Sequence, residues 1–268
     1  IAQLAKQFLK NPQEVKLLEQ HAENKIRQRF YEVTNENRLT AVATLLKHYR
    51  PLSTLAFCNT KQQCRDLLNV LRENGIQALT LNGDLEQRER DQVLIQFANN
   101  SCSVLVATDV AARGLDIAQL EAVINVDVTP DPEIHIHRIG RTGRADQQGW
   151  ALSLYSPADK RRLATIAQMM GTTLETHKLS ELPEADEAPL VPPMVTLLML
   201  GGRKDKIRPG DVLGALTGEA GFTSKQVGKI TVTDQTTFIA VDRNIYRDAV
   251  RKLSAGKVKG KTVKVRAL

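Results

Sequence analysis

The sequence is poor in cysteine and has no long apolar run, and each shortage excludes a class of protein. The three cysteines, Cys58, Cys64 and Cys102, form no CxxC pair and no even framework, which indicates a reducing compartment with buried or free thiols. No run of about 18 apolar residues is present, so we expect no transmembrane helix, and the first residues show no signal-peptide pattern. The chain also lacks an initiator methionine, and we interpret it as the C-terminal part of a longer protein.

Metal-ligand spacing is also missing. The cysteines fall on a predicted strand, a predicted helix and the start of a strand, and His135 and His137 stand apart from them in the sequence. A structural zinc site needs ligands that converge on one point. We therefore expect buried thiols and no metal site.

Positive charge is concentrated at one end of the chain. The whole sequence has a net charge of +7, but residues 191–268 hold 15 Lys and Arg against 6 Asp and Glu, a net of +9, whereas residues 1–190 hold 22 against 24, a net of −2. Such an excess favours an acidic partner, nucleic acid above all. Between the two parts, residues 176–193 contain four prolines and several acids without a helical or strand period, which is typical of a linker.

Predicted strands and helices alternate in the first part. This order predicts a parallel sheet with helices on both faces, and ligands of such sheets bind beyond the carboxyl ends of the strands. Helices are predicted by apolar stripes over 38–49, 60–75, 85–100 and 156–171, and strands by short apolar runs over 54–59, 77–82, 103–108, 122–127 and 150–155.

Two polar turns follow these strands, at residues 107–116 and 137–144. In the second turn, Arg138, Arg141 and Arg144 are spaced by three residues, and like charges at that spacing repel one another unless an anion lies between them. Gly140 and Gly143 let the backbone approach a ligand closely. Arginine forks match phosphate oxygens, so we favour a phosphate site over a solvated turn. In the first turn, the alternative for Thr108 is a simple helix cap.

The basic part has the predicted order β-α-β-β-α-β, which is a ferredoxin-like fold with the topology of an RNA recognition motif. Its first helix is predicted to place Val212, Leu213 and Leu216 on one face. Typical recognition motifs stack bases on aromatic side chains of the sheet, but here the first strand has none and the third has only Phe238. We therefore expect RNA contacts from the basic clusters instead of from the sheet.

A P-loop can be excluded near the C-terminus. Residues 255–262 end in Gly-Lys-Thr, but the position that requires the first glycine is Ala255. A P-loop also lies between a strand and a helix, whereas this segment precedes a predicted strand.

Six short motifs occur in the order that a known family uses. They are AFCNT (56–60), NGD (82–84), QRER (87–90), ATDVAARGLD (107–116), INVD (124–127) and HRIGRTGR (137–144). In this order they resemble the second RecA-like domain of DEAD-box RNA helicases, over residues 25–175. Residues 1–24 resemble the tail of the first RecA-like domain, whose Walker A, DEAD and SAT motifs do not occur in this sequence.

The resemblance implies a role for each matching residue. Arg141 and Arg144 match the arginine fingers that reach the γ-phosphate of ATP, His137 matches the link to the first domain, and Arg138 is closer to structural support. Gly114 and Asp116 match the nucleotide site, Asp116 at the ribose. The implied cofactor is ATP with Mg²⁺, bound mainly by the first RecA-like domain. Contacts with the RNA sugar-phosphate backbone are implied for Asn59, Thr60, Gly83, Arg90 and Thr108.

Residues 194–268 resemble the C-terminal domain of the DbpA/YxiN subfamily of these helicases, above all at 201–218 and 256–262. This implies a bacterial cytoplasmic protein, expected to be monomeric, that acts on 23S rRNA in large-subunit assembly. The candidate RNA-binding residues of this module are Arg203, Lys204, Lys206, Arg208, Lys257, Lys259 and Lys261. Two alternatives stay open: a non-catalytic RNA-binding protein with a relict RecA-like domain, and an ATP-powered translocase that acts on DNA.

Overall fold

The computed structural model describes residues 26–113, 115, 117, 120–143, 148–183 and 188–268. The predicted tail of a preceding domain, residues 1–24, lies outside the described residues. None of the helices within the described ranges is long and apolar enough to cross a membrane.

The first domain is built on a seven-stranded sheet with the order β3-β4-β2-β5-β6-β1-β7, and all neighbouring strands run parallel. This confirms the predicted α/β class. Its strands are β1 Ile26–Glu32, β2 Thr54–Cys58, β3 Ala78–Leu81, β4 Val104–Thr108, β5 Ala122–Asn125, β6 Gly149–Tyr155 and β7 Thr176–Lys178. Its described helices are α1 Arg38–Tyr49, α2 Lys61–Glu73, α3 Gln87–Ala98, α4 Asp109–Ala112, α5 Pro132–Ile139 and α6 Lys160–Met170.

Both faces of this sheet are covered, which explains why its central strands are apolar without alternation. Every residue of β2 is buried. Leu55 belongs to one apolar cluster and its neighbour Ala56 to another, because successive side chains of a strand point to opposite faces. A parallel strand buried on both faces reads as a continuous hydrophobic run, and this is the pattern that predicted the strands.

The start of the predicted linker is an exception. Residues 176–193 have no strand period, yet Thr176–Lys178 form β7, which pairs in parallel with β1. The prediction of an irregular segment was wrong at these three residues, because a strand of three residues is too short to show an alternating pattern in the sequence. The strand is stabilised by its neighbour β1, and the rings of His177 and Tyr31 lie 5.6 Å apart. Further along, Leu190 is buried in the core of the first domain.

The second module, residues 194–268, confirms the ferredoxin-like prediction. Its four-stranded sheet has the order β11-β8-β10-β9 and is antiparallel. Val212 and Leu216 are buried in its core, but Leu213 is 37% exposed, so the predicted apolar face was one residue too wide. Its elements are β8 Met194–Leu200, α7 Pro209–Thr217, β9 Val227–Val232, β10 Thr236–Asp242, α8 Tyr246–Ala255 and β11 Lys264–Ala267.

Part of the outer face of this sheet is closed to solvent, although Leu200 on the same face is 51% exposed. Leu198, Phe238 and Ala240 are at most 6% exposed, although they alternate with the residues that pack under the helices of the module. The neighbouring Thr196 contacts the first domain: its hydroxyl accepts from Asn99 Nδ2 at 3.1 Å and lies 2.5 Å from Ser101 Oγ. The face that recognition motifs typically use for bases therefore packs against the first domain at this point.

Candidate nucleotide-facing and RNA-facing sites

The predicted backbone-contacting residues of the first domain meet at one edge of the sheet. β3, β4 and β2 are neighbours, and their register pairs Leu81 with Ala107 and Cys58 with Thr108. Gly83 and Thr60 each follow their strand by two residues. Parallel strands bring their carboxyl ends to the same edge, so the structure places Thr60, Gly83 and Thr108 side by side.

Thr60 and Thr108 each cap a helix and still have a hydroxyl proton that they can donate. Thr60 Oγ1 accepts from the Gln63 amide at 3.1 Å at the start of α2, and Thr108 Oγ1 accepts from the Ala111 amide at 3.4 Å at the start of α4. The cap interpretation of Thr108 is thus correct. A hydroxyl that accepts one bond can still donate its proton, so capping and a contact with phosphate oxygen are compatible.

Arg90 and Gly83 differ in how much the fold needs them. Arg90 Nη2 donates to the Ala111 carbonyl at 2.8 Å and so ties α3 to α4. A Cβ on exposed Gly83 would meet only the end of the Lys61 side chain, at 3.9 Å from Nζ. Packing therefore does not require glycine there, and the absence of a side chain would let a ligand approach the backbone closely. Lys61, which forms an ion pair with Asp84, is a further cation at the carboxyl edge of the sheet, and none of the six sequence motifs includes it.

The anion that Arg138 needs is supplied by the protein. Arg138 is 2% exposed, and its Nε and Nη2 donate to the two carboxylate oxygens of Asp109 at 2.8 and 2.6 Å. Nη1 donates to the Asp127 carbonyl at 3.1 Å, and the guanidinium lies 5.0 Å from the centre of the Phe57 ring. The expectation that one phosphate neutralises all three arginines of the turn was therefore wrong for Arg138, which is a structural residue.

Arg141 is held differently. Its Nη1 donates to the Leu115 carbonyl at 2.9 Å, a neutral partner, and no described residue forms an ion pair with Arg141. The backbone of the same turn is fixed, since the Leu120 amide donates to the Arg141 carbonyl at 3.3 Å. The predicted residues Gly114, Asp116 and Arg144 lie outside the described residues.

A cleft of about 100 Å³ joins these groups at the carboxyl edge of the sheet. Its described carboxylate, Asp109, is paired with Arg138, so the Arg113 and Arg141 guanidinium groups give the cleft a positive character. Such a cleft suits the oxygens of a phosphate. The family motifs gave no role to Arg113, although it lies within the first polar turn. The cleft is lined by Phe57, Asp109, Ala112, Arg113, Ile134, His137, Arg138 and Arg141.

Among the described residues, neither His135 nor the three cysteines belong to a group that could form a ligand set. His135 is 1% exposed, stacks on Phe30 with ring centres 5.7 Å apart, and lies 3.3 Å from Gln28 Oε1. Burial, with a smaller effect of the Arg138 charge, lowers the pKa of His135 to about 4. The three cysteines are buried, and burial raises the pKa of Cys102 to about 11. Within the described ranges, no group of three or more His, Cys, Asp or Glu could hold a metal ion.

In the second module, two basic clusters that are 50 residues apart in sequence form one surface. The Lys259 ammonium donates to the Lys206 carbonyl at 2.5 Å, and Lys261 lies 3.4 Å from Asp205. We call this the joined basic surface. It is formed by Arg203, Lys204, Lys206, Arg208, Lys257, Lys259 and Lys261, all of them exposed.

Not every cation of the joined basic surface is equally available. Arg203 pairs with Asp234 at 3.0 Å, and Lys259 lies 3.7 Å from Asp211. Lys204 and Lys257 have no ion pair with any described residue. Residues 255–262, which end like a P-loop in sequence, contribute to this surface. Gly256 ends α8 and precedes a turn, whereas the glycine-rich loop of a P-loop leads into a helix.

The comparisons with known proteins agree with both domains. A model of the helicase conserved C-terminal domain matches residues 37–146, and a model of the DbpA RNA-binding domain matches residues 196–267. Among solved structures, Saccharomyces cerevisiae Dbp5 bound to RNA and ADP BeF3 superimposes with a TM-score of 0.59 and 29% identity, over 67% of this chain and 49% of that chain.

Two curated relatives match along almost the whole sequence. The ATP-dependent RNA helicase DbpA of Escherichia coli (strain K12) is 43% identical over 270 residues, which cover 100% of this chain and 58% of the relative. DbpA of Bacillus subtilis (strain 168) is 30% identical over 287 residues, which cover 99% of this chain and 60% of the relative. The chain thus spans about three fifths of the length of these relatives. It belongs to the DbpA type of DEAD-box RNA helicases, of which it carries the helicase C-terminal domain and the RNA-binding domain.

Proposed function

We propose that this chain is the part of an ATP-dependent RNA helicase that completes the nucleotide site and selects the RNA. The observation that carries the proposal is the cleft at the carboxyl edge, where Asp109 neutralises Arg138 while no described residue forms an ion pair with Arg141. An arginine of this kind can stabilise the charge that develops on a transferred phosphoryl group. Arg144, in the same motif, takes part with it.

The residues of the cleft suit the phosphates of ATP better than they suit Mg²⁺. The rim of the cleft offers guanidinium groups and His137, which suit phosphate oxygens. The carboxylate in its lining, Asp109, is already paired with Arg138, whereas Mg²⁺ prefers carboxylate and phosphate oxygens. We therefore assign to this chain the contacts with the terminal phosphate, and through Asp116 with the ribose, and we assign Mg²⁺ and most of the nucleotide to the first RecA-like domain.

RNA contacts of the first domain address the backbone. Thr60 and Thr108 offer hydroxyl donors, and the amino end of α2 adds the positive end of a helix dipole. Asn59 and Thr60 are exposed at this position. None of these groups is arranged to discriminate base edges, so this edge holds RNA of any sequence.

Selection of the RNA then belongs to the second module. Its net charge of +9 and the joined basic surface favour phosphate contacts, while the burial of Leu198 and Phe238 argues against base stacking on the sheet. The resemblance to the DbpA type further leads us to propose 23S rRNA of the assembling large subunit as the target, and a monomer in the bacterial cytoplasm as the acting form.

The catalytic part of the proposal is tested with Arg141→Ala in the full-length protein. The RNA-stimulated turnover number should fall by about 10³-fold, because this interaction is made mainly in the transition state, and nucleotide affinity and thermal stability should change little. Arg144→Ala should behave in the same way. Arg161→Ala, which removes an exposed arginine of α6, is the control. An equal loss of turnover, RNA binding and thermal stability would show that Arg141 only maintains the fold.

A further inference from the structure

A second cleft lies where the first domain meets β9 of the module. It has a volume of about 450 Å³, within the range of small-molecule sites, and we call it the seam cleft. Ser53, Asn99 and Leu120 precede β2, β4 and β5, so the seam cleft lies at the amino ends of these strands, opposite the edge that carries Thr60 and Thr108, and its lining includes Leu115, whose carbonyl accepts from Arg141 Nη1. Its lining includes Leu94, Phe97, Asn99, Leu120, Lys229 and Thr231.

The two walls of the seam cleft are fixed to each other. Beside the bonds of Thr196 with Asn99 and Ser101, the Met194 amide donates to the Asn100 carbonyl at 3.3 Å. Arg243 of the module also donates to Gln77 Oε1 at 3.1 Å. The cleft is therefore a site with defined walls and not a gap between independent bodies.

One buried polar atom in the lining has no partner. Asn99 is 4% exposed, and its Nδ2 is held by Thr196, which fixes the orientation of the amide. Its Oδ1 is buried without a hydrogen bond. Buried polar side-chain atoms are rarely left in this state, so the position of Asn99 indicates a ligand with a hydrogen-bond donor.

The remaining lining completes the recognition pattern. Leu94, Phe97 and Leu120 provide an apolar wall. On the other side, Lys229 is exposed on β9 beside Thr231, and no described residue forms an ion pair with it. An apolar slot, a carbonyl acceptor and a cation correspond to the three parts of a nucleotide: the base, its exocyclic amino group and its phosphate.

We propose that the seam cleft binds one unpaired nucleotide that flanks the RNA element held by the module. The base packs against the half-buried Leu94 and the accessible edges of Phe97 and Leu120, which are 5% and 4% exposed. Its amino group donates to Asn99 Oδ1, and its phosphate contacts Lys229. The proposal rests on RNA binding by the module and adds a contact distinct from both the joined basic surface and the carboxyl edge. It also predicts a preference for bases with an amino group, adenine over uracil.

The test compares two fluorescein-labelled RNA hairpins, one bare and one with an unpaired adenosine flank, in anisotropy titrations with the full chain over a range of KCl concentrations. Lys229→Gln should weaken binding of the flanked hairpin about fivefold to tenfold and lower its salt slope by about 0.7, the value for one single-stranded phosphate contact. Binding of the bare hairpin should not change. Lys225→Gln removes an equal charge outside the cleft and should affect both hairpins equally.

Three further results decide the assignment. Thr231→Trp, which fills the cleft, should abolish the advantage of the flank, and its urea midpoint shows whether it is folded. An 8-azidoadenosine in the flank should crosslink to peptides that contain Phe97 or Lys229. Identical behaviour of Lys229→Gln and Lys225→Gln, or crosslinks confined to residues 203–208, would overturn the proposal. Competition by AMP alone, as strong as that of the flanked RNA, would assign the cleft to a free nucleotide and overturn the RNA source.

Discussion

The ion pair between Arg138 and Asp109 makes a prediction that separates a structural arginine from a catalytic one. Asp109→Ala should destabilise the first domain by about 3–5 kcal/mol, the cost of leaving one member of a buried pair without its partner. The estimate depends on burial: the Arg138 side chain is 2% exposed, whereas that of Asp109 is 32% exposed. The stranded guanidinium cannot reach water, but a stranded carboxylate can.

Because the two side chains differ in exposure, the variants should differ in how much stability they lose. Arg138→Met, which removes the buried charge and keeps much of the side-chain volume, should cost less than Asp109→Ala. The double variant should be close to Arg138→Met alone, which corresponds to a coupling energy equal to the cost of Asp109→Ala, about 3–5 kcal/mol.

The chain provides its own probe for this measurement. Trp150 is the single tryptophan and lies on β6, so its fluorescence during urea unfolding reports on the first domain and not on the module. Free energies of unfolding come from linear extrapolation. A loss below about 1 kcal/mol for Asp109→Ala would refute the reasoning, since it would mean that the pair is solvated and that Arg138 is free to bind phosphate.

Three further predictions follow from the same structure. His135 has a pKa lowered to about 4 against about 6.5 when unfolded, so the unfolded state takes up a proton first and stability should fall as the pH drops from 7 to 4. His135→Phe should remove up to about 3 kcal/mol of that pH dependence in urea titrations, and an unchanged profile would contradict the burial argument. Lys204→Ala, at a cation without an ion pair to any described residue, should lower the salt slope of binding to a 23S rRNA hairpin by about one, whereas Arg203→Ala, at a cation paired with Asp234, should lower it less. If the chain bound a scrambled hairpin with equal affinity, the proposal that this module selects the RNA would be wrong. This chain alone should show no RNA-stimulated ATP hydrolysis, because the phosphate-cradling loop is not in its sequence, and turnover by the purified chain would disprove the division of the site.

The sequence by itself determined the parts of this protein that depend on local order. Apolar runs and helical stripes predicted most elements of both domains, but not β1 Ile26–Glu32 or α5 Pro132–Ile139, whose last residues belong to the stretch predicted as the second polar turn. The first polar turn could be assigned to the carboxyl edge because β4 ends there. The net charge of +9 identified the second module as the basic part of the chain. Thr60 at the start of α2 and Gly171 at the end of α6 follow from capping preferences that involve only neighbouring residues.

Only the tertiary structure decided which side chains are partners. Three arginines at equal spacing look alike in sequence, but Asp109, from a different turn, neutralises Arg138 and not Arg141. The contact of Lys259 with Lys206 joins two basic clusters, and the contact of Thr196 with Asn99 places the first domain against part of the sheet face that a recognition motif would be expected to expose. The physical reason is the same in each case: charge compensation and burial depend on distances between residues far apart in the chain, and no local pattern encodes those distances.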